Sequence, residues 1–164
     1  MNYKSLIEAV KNGSASNVRE SLRQGANPNE KDSQNRTGLH WAAQLGSLGI
    51  VRCLIEHEAQ VNVSDNLGFT PLVVAAGEGH DLIVRELLDA GASAKIRVRS
   101  NENGNALHLA CSWNRNTVAR TLVRLSDVDI NEKDDAGKTA LAYARESGNG
   151  ELIEYLLAHK ALDE

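Results

Sequence analysis

A leading leucine returns along this chain at spacings of 33, 33, 35 and 34 residues, and that period constrains the fold more than any single residue does. The openings are Leu6-Ile7-Glu8-Ala9, Leu39-His40-Trp41-Ala42, Leu72-Val73-Val74-Ala75, Leu107-His108-Leu109-Ala110 and Leu141-Ala142-Tyr143-Ala144. A turn residue follows each opening: Gly13, Gly46, Gly79, Asn114 and Gly148. Farther on, Val18, Val51, Val84, Ala119 and Ile153 each stand three residues before a pair, namely Ser21-Leu22, Leu54-Ile55, Leu87-Leu88, Leu122-Val123 and Leu156-Leu157. Five in-phase units fill essentially all 164 residues. The chain is therefore a repeat array, in which each unit leans on its neighbours and any binding surface is built by stacking.

Each unit reads as two short helices. Thr37, Thr70 and Thr139 precede three of the openings and suit a helix cap, where a hydroxyl accepts a free backbone N–H, and Pro71 suits the first helical position. Small pairs such as Ala42-Ala43 and Ala75-Ala76 let the first helices of successive units approach closely. The turn glycines allow the left-handed conformation that leads from one helix into the next. In the second helices the Ile, Val and Leu sets fall at i, i+1, i+4 and i+5, an apolar stripe that faces the stack.

Residues 69–92 read Phe-Thr-Pro-Leu-Val-Val-Ala-Ala-Gly-Glu-Gly-His-Asp-Leu-Ile-Val-Arg-Glu-Leu-Leu-Asp-Ala-Gly-Ala. This string resembles the ankyrin repeat, in which a Thr-Pro-Leu-His turn opens a helix, a Gly ends it, and a second helix ends near Gly-Ala. Thr37-Gly38-Leu39-His40, Asn105-Ala106-Leu107-His108 and Thr139-Ala140-Leu141-Ala142 are variants of the turn. The ending is kept at Gly25-Ala26 and Gly91-Ala92 and altered to Glu58-Ala59 and Lys160-Ala161. The resemblance implies an all-α fold: an ankyrin-repeat solenoid of five helix-turn-helix repeats joined by hairpin loops. It would form a single domain over 1–164, with repeats at approximately 1–31, 32–64, 65–97, 98–133 and 134–164.

Glu8 stands where inner repeats carry Trp41, Val74 and Leu109, and Arg145 where they carry Ala43, Ala76 and Cys111. Repeats 1 and 5 are thus expected to cap a complete array, although the apolar set Leu152, Ile153, Leu156 and Leu157 keeps a longer parent protein open. A formal charge of −4 disfavours a nucleic-acid partner, which would select a basic face. No segment has the apolar length of a membrane span, and Met1 to Val10 is too short in apolar residues for a signal peptide. Cys53 and Cys111 are expected to be reduced thiols, placing a monomeric protein in the cytoplasm, with the nucleus or a host-cell cytosol as alternatives. The sequons at Asn12, Asn35 and Asn62 are read as chance.

The search for chemistry returns no enzyme, no cofactor and no metal site. His108 and Cys111 share a helical face, but both fill repeat-defining slots, and His40 and His108 are expected to bond neighbouring loop backbones. Where Val73 and Ala142 replace that histidine, the brace is expected to be lost. The stretch from Asp127 begins like a calcium loop but has Glu132 at the sharp-turn glycine and Lys138 at the bidentate glutamate. Gly77-Glu78-Gly79 lacks the wider glycine pattern and the strand of a phosphate cradle, and Cys and His show no zinc spacing.

The resemblance implies a concave face made of hairpin tips and inner helices, where a partner protein would lie. Its slots carry over to Gln34, Arg36, Gln44 and Leu45 in repeat 2, and to Asn66, Leu67, Phe69, Gly77 and Glu78 in repeat 3. Ser112 and Trp113 follow in repeat 4, and Lys133, Asp135, Lys138 and Glu146 in repeat 5. Leu45, Leu67, Phe69 and Trp113 are large and apolar, the composition of a binding hot spot, with Trp41 and Tyr143 one slot deeper. Trp41 is read as packing, Phe69 and Trp113 as solvent-facing anchors. After Gly91-Ala92 the connection is two residues longer and runs Lys95-Ile96-Arg97-Val98-Arg99. It is either a solvated hairpin or a basic finger for an acidic or anionic ligand, which Arg115, Arg120 and Arg124 would extend. The reading is thus a non-enzymatic interaction module, with an inhibitor or assembly factor, or an anion binder through 95–99, as alternatives. Asn29, Asn62 and Asn131 further resemble hairpin asparagines that are hydroxylated in ankyrin repeats.

Overall fold

The computed structural model describes residues 5–99 and 104–162. Each unit forms two helices joined by a short turn: α1 (Leu6–Lys11) with α2 (Ala15–Arg23), α3 (Gly38–Gln44) with α4 (Leu48–Glu56), and α5 (Pro71–Glu78) with α6 (Asp81–Asp89). The remaining pairs are α7 (Ala106–Ser112) with α8 (Asn116–Leu125), and α9 (Ala140–Glu146) with α10 (Gly150–Ala158). The odd-numbered helices stack in one row and the even-numbered in a second, giving the all-α solenoid of five repeats. The signal-peptide reading falls partly on Met1–Lys4, outside the described residues.

The odd helices run only six to eight residues, too short to persist alone in water. Stacking holds them. Ala9, Ala42, Ala43, Ala75, Ala76, Ala110, Cys111 and Ala144 lie wholly inside the inner row, with Leu39, Leu72, Leu107 and Leu141 beneath them. In the second row Val51, Leu54, Val84, Leu87, Leu122 and Leu156 are equally enclosed. Truncating one such leucine to alanine costs about 2–5 kcal/mol in a core of this kind. Glu8 and Arg145, by contrast, are exposed.

Side chains finish the helix ends. Thr70 and Thr139 accept the N–H of Val73 and Ala142, and Asn105 accepts those of Leu107 and His108. The turn between α5 and α6 is made by Gly79 at φ +86°, and Asn114, at φ +56°, does the same work between α7 and α8. Glu58 and Lys160 take positive φ, 62° and 72°, where repeats 1 and 3 use glycine.

The hairpins rest on a recurring aspartate. In Asp32, Asp65 and Asp134 one carboxylate oxygen accepts two backbone N–H groups, from residues two and four positions on. The N–H of the same aspartate then donates to the carbonyl four residues ahead. Val98 occupies this slot in the third hairpin and its side chain has nothing to accept with; its N–H reaches Gly104 O instead, across the longer connection.

Two kinds of rung tie hairpin to hairpin. His40 accepts the Thr37 N–H at Nδ1 (3.0 Å) and donates from Nε2 to Phe69 O (3.0 Å); His108 repeats this with Asn105 N and Glu132 O. Val73 and Ala142 supply no such rung. Asn29 and Asn62 accept the N–H of Gln60 and Ser93, and Asn131 that of Leu162; Asn62 and Asn131 also donate to Gly91 O and Lys160 O. The asparagines singled out as modification candidates therefore hold the stack in register through their amides. Lys95 stands in this slot in repeat 3 and pairs with Asp127 at 2.8 Å instead.

Burial is the largest influence on His40 and His108 and holds both imidazoles below the ordinary 6.5, against the raising effect of the carbonyls they face. A proton added at Nδ1 would also confront a backbone N–H. Below about pH 6.5 the unfolded chain takes up protons that the folded histidines refuse, so stability falls as pH drops through that window. Urea midpoints are expected to decline from pH 7.5 to 5.5, and a His40→Gln/His108→Gln variant to be weaker at pH 7.5 but much flatter across the range. Replacing Glu58 by Gly relieves a left-handed backbone and is expected to raise stability by about 1 kcal/mol, read from the same urea transitions.

Candidate functional site

The slots of the inner row set the shape of the concave face. In repeats 2 and 5 a large donor follows the turn: Trp41 Nε1–H donates to Asp32 Oδ2 (3.0 Å) and the Tyr143 hydroxyl to Asp134 Oδ2 (2.6 Å). Burial opposes ionisation of Asp32 and Asp134, but hydrogen bonds from their hairpin N–H groups and from these aromatics outweigh it and hold both carboxyls below the ordinary 3.8. Trp41 is half-buried, with Lys11 and Arg36 over its ring, as its packing role requires.

Repeat 3 departs from this plan at two adjacent positions. Val74 fills the slot of Trp41 and Tyr143, and Val73 the slot of His40 and His108. Val74 offers no donor, and the second oxygen of Asp65 faces Arg36 of the preceding repeat, Nε to Oδ2 3.5 Å. The smaller side chains leave a cleft of about 190 Å³ bounded by Arg36, His40, Gln44, Asp65, Leu67, Phe69, Val73, Val74, Glu78 and Trp113.

One wall of this cleft is seated on a glycine. A Cβ at Gly77 would stand 2.3 Å from Cζ3 of Trp113, so the indole rests directly on the α5 backbone. Arg115 braces the same residue, donating from Nε to Gly77 O at 2.7 Å. Trp113 nevertheless keeps 48% of its surface in solvent, and its indole N–H has no partner among the described residues.

Of the partner-binding residues expected from sequence, Arg36, Gln44, Leu67, Phe69, Glu78 and Trp113 meet at this cleft. Phe69 is half-buried against the core, not solvent-facing, because its carbonyl and N–H are engaged by His40 and Asp65. Gly77 is buried beneath Trp113. Asn66 lies beside the cleft, exposed, and accepts from Asn35. Leu45 is exposed and Ser112 half-buried outside it, while Lys138 pairs with Glu146 in repeat 5.

The basic segment is not an open finger. Lys95 pairs with Asp127, and Arg97 reaches Asp135 (3.1 Å), Glu132 (3.9 Å) and Lys133 O. Lys95 and Arg97 are thus matched by the next hairpin. Arg99 is exposed beside Gly68, its N–H bound to Leu67 O. Arg115 is spent on Gly77 and Arg120 on Glu151 and the Tyr155 ring, so neither extends a patch. Burial lifts the Cys111 thiol to about 12, which removes it as a nucleophile at neutral pH.

A family profile for ankyrin repeats matches residues 6–100 and 93–163. The chain belongs to the ankyrin-repeat family. Ankyrin-containing relatives include palmitoyltransferase AKR1 of Lachancea kluyveri, 34% identical over 93% of this chain and 21% of that protein. Rabankyrin-5 of Mus musculus is 34% identical over 80% of the chain and 11% of its own length. The 26S proteasome non-ATPase regulatory subunit 10 of Dictyostelium discoideum is 37% identical over 53% of the chain and 38% of its own length. The chain thus spans less than two fifths of these relatives, and the enzyme name among them describes a much larger protein. Ankyrin repeats mark a protein–protein interaction module. No helix among the described residues is long and apolar enough to cross a membrane.

The Gly77 seat yields a direct test. Gly77→Ala is expected to displace the indole while the helix gains propensity, leaving net stability within about 1 kcal/mol and shifting tryptophan emission to the red. An unchanged emission spectrum would show that the indole does not rest on Gly77.

Proposed function

We propose that this ankyrin array is a non-enzymatic module that binds a partner protein on its concave face, centred on the cleft of repeats 2 to 4. The observation that carries the reading is Trp113, half-exposed, fixed on Gly77, its N–H without a partner among the described residues, at the mouth of a mainly apolar cleft. Its ring is already ordered before a partner arrives, which lowers the ordering cost of association. Arg36 and Glu78 flank it and would tune rate and selectivity. The proteasome relative is named as a subunit, a protein that works in an assembly, which accords with a binding role. An adaptor and an inhibitor or assembly factor would use the same surface and differ in what the partner does. Ion pairs at Lys95 and Arg97 weigh against an anion-binding hairpin. Free buried thiols at Cys53 and Cys111 suit a reducing compartment such as the cytoplasm, and we take the working form as a monomer.

The test is affinity capture with wild-type protein and a Phe69→Ala/Trp113→Ala variant whose helicity is intact by circular dichroism. A partner held by the wild type is expected to be lost by the variant, each true anchor being worth at least ~2 kcal/mol. A partner retained equally by both would place the interface elsewhere.

A further inference from the structure

The charges around the cleft do not balance. Arg36 is held against Asp65, and its Nη1 lies 3.4 Å from Gln44 Oε1. The buried His40 ring spends its Nε2–H on Phe69 O. Glu78, at the end of α5 on the rim beside Trp113, is exposed and has neither an ion pair nor a hydrogen bond among the described residues. The cleft therefore offers aliphatic and aromatic walls, one unmatched carboxylate, and a half-exposed indole.

Its volume narrows the occupant. About 190 Å³ lies below the range of sites that enclose a whole small molecule and suits one inserted side chain. An acidic side chain would meet Glu78 with like charge. A purely apolar one would strip water from Glu78 and from the Trp113 N–H and give neither a partner.

Resting on the concave-face reading above, we propose that this cleft receives a long basic side chain, arginine or lysine, from a peptide segment of the partner protein. The methylene stem packs on Leu67, Phe69 and Val74, since long cationic side chains bury their stems while the head stays wet. The cation lies over the Trp113 indole and pairs with Glu78, combining ring attraction with a charge-assisted hydrogen bond. The Trp113 N–H is left to donate to a backbone carbonyl of the same segment.

The experiment uses fluorescein-labelled nonapeptide pools with uncharged randomised flanks and a central Arg, Lys, citrulline, norleucine or Glu, read by fluorescence anisotropy. The Arg and Lys pools are expected to bind about tenfold more tightly than the citrulline and norleucine pools. That gap is expected to close in Glu78→Gln. Val74→Trp, which fills the cleft as repeat 2 fills its own with Trp41, is expected to abolish binding of the basic pools without lowering the unfolding temperature. Equal or tighter binding of norleucine, still lost in Val74→Trp, would overturn the basic-side-chain proposal and leave the concave site standing. Absence of binding by any pool, or no distinction among them, would overturn the proposal as well. Peptide binding unaltered by both Val74→Trp and Phe69→Ala/Trp113→Ala would remove the concave-site reading with it.

Discussion

The close approach of the inner helices through alanine governs the rest of this structure. Helices of six to eight residues have no stability of their own, so Ala42-Ala43 against Ala75-Ala76, and these against Ala110-Cys111, must supply it by excluding water across each interface. Alanine there leaves no room for larger side chains on the stacking faces. Chemical variety is displaced to the helix ends and hairpin tips, and those are the positions that form the concave face.

Much of this was legible in sequence because the repeat samples each slot five times. The Thr caps, the Asn114 turn and the apolar stripes of the second helices all follow from local chemistry that needs no neighbour. The ties between repeats were harder to read. Lys95 and Arg97 look like an uncompensated basic run in a linear reading, yet Asp127, Glu132 and Asp135 lie one hairpin away and face them. The hairpin role of Asp32, Asp65 and Asp134 has a sequence signal, an aspartate returning at the same slot and giving way to Val98 where the loop lengthens, but its two N–H partners show only in the folded hairpin.

The cleft is hidden from a linear reading for a related reason. Concave-face residues such as Phe69, Trp113 and Glu78 can be assigned by slot, but a cleft is made by what is small. Val73 and Val74 carry no chemistry of their own and draw notice only beside His40, Trp41, His108 and Tyr143. Gly77 likewise reads as a helix residue, while its lack of a Cβ is what lets the Trp113 ring lie on the backbone.

One slot links the shape of the cleft to its electrostatics. An aromatic donor at position 74 would fill the space and, as Trp41 does for Asp32, would occupy the second oxygen of Asp65. With valine there, that oxygen is matched by Arg36 from the repeat before, which fixes a guanidinium as one wall and neutralises it at once. The negative charge that remains is the one at Glu78, set beside an indole that Gly77 has already immobilised. The exchange of aromatic for aliphatic at position 74 thus opens the space, together with Val73, and leaves the second oxygen of Asp65 to Arg36, while Glu78 sets the sign of the charge a partner meets.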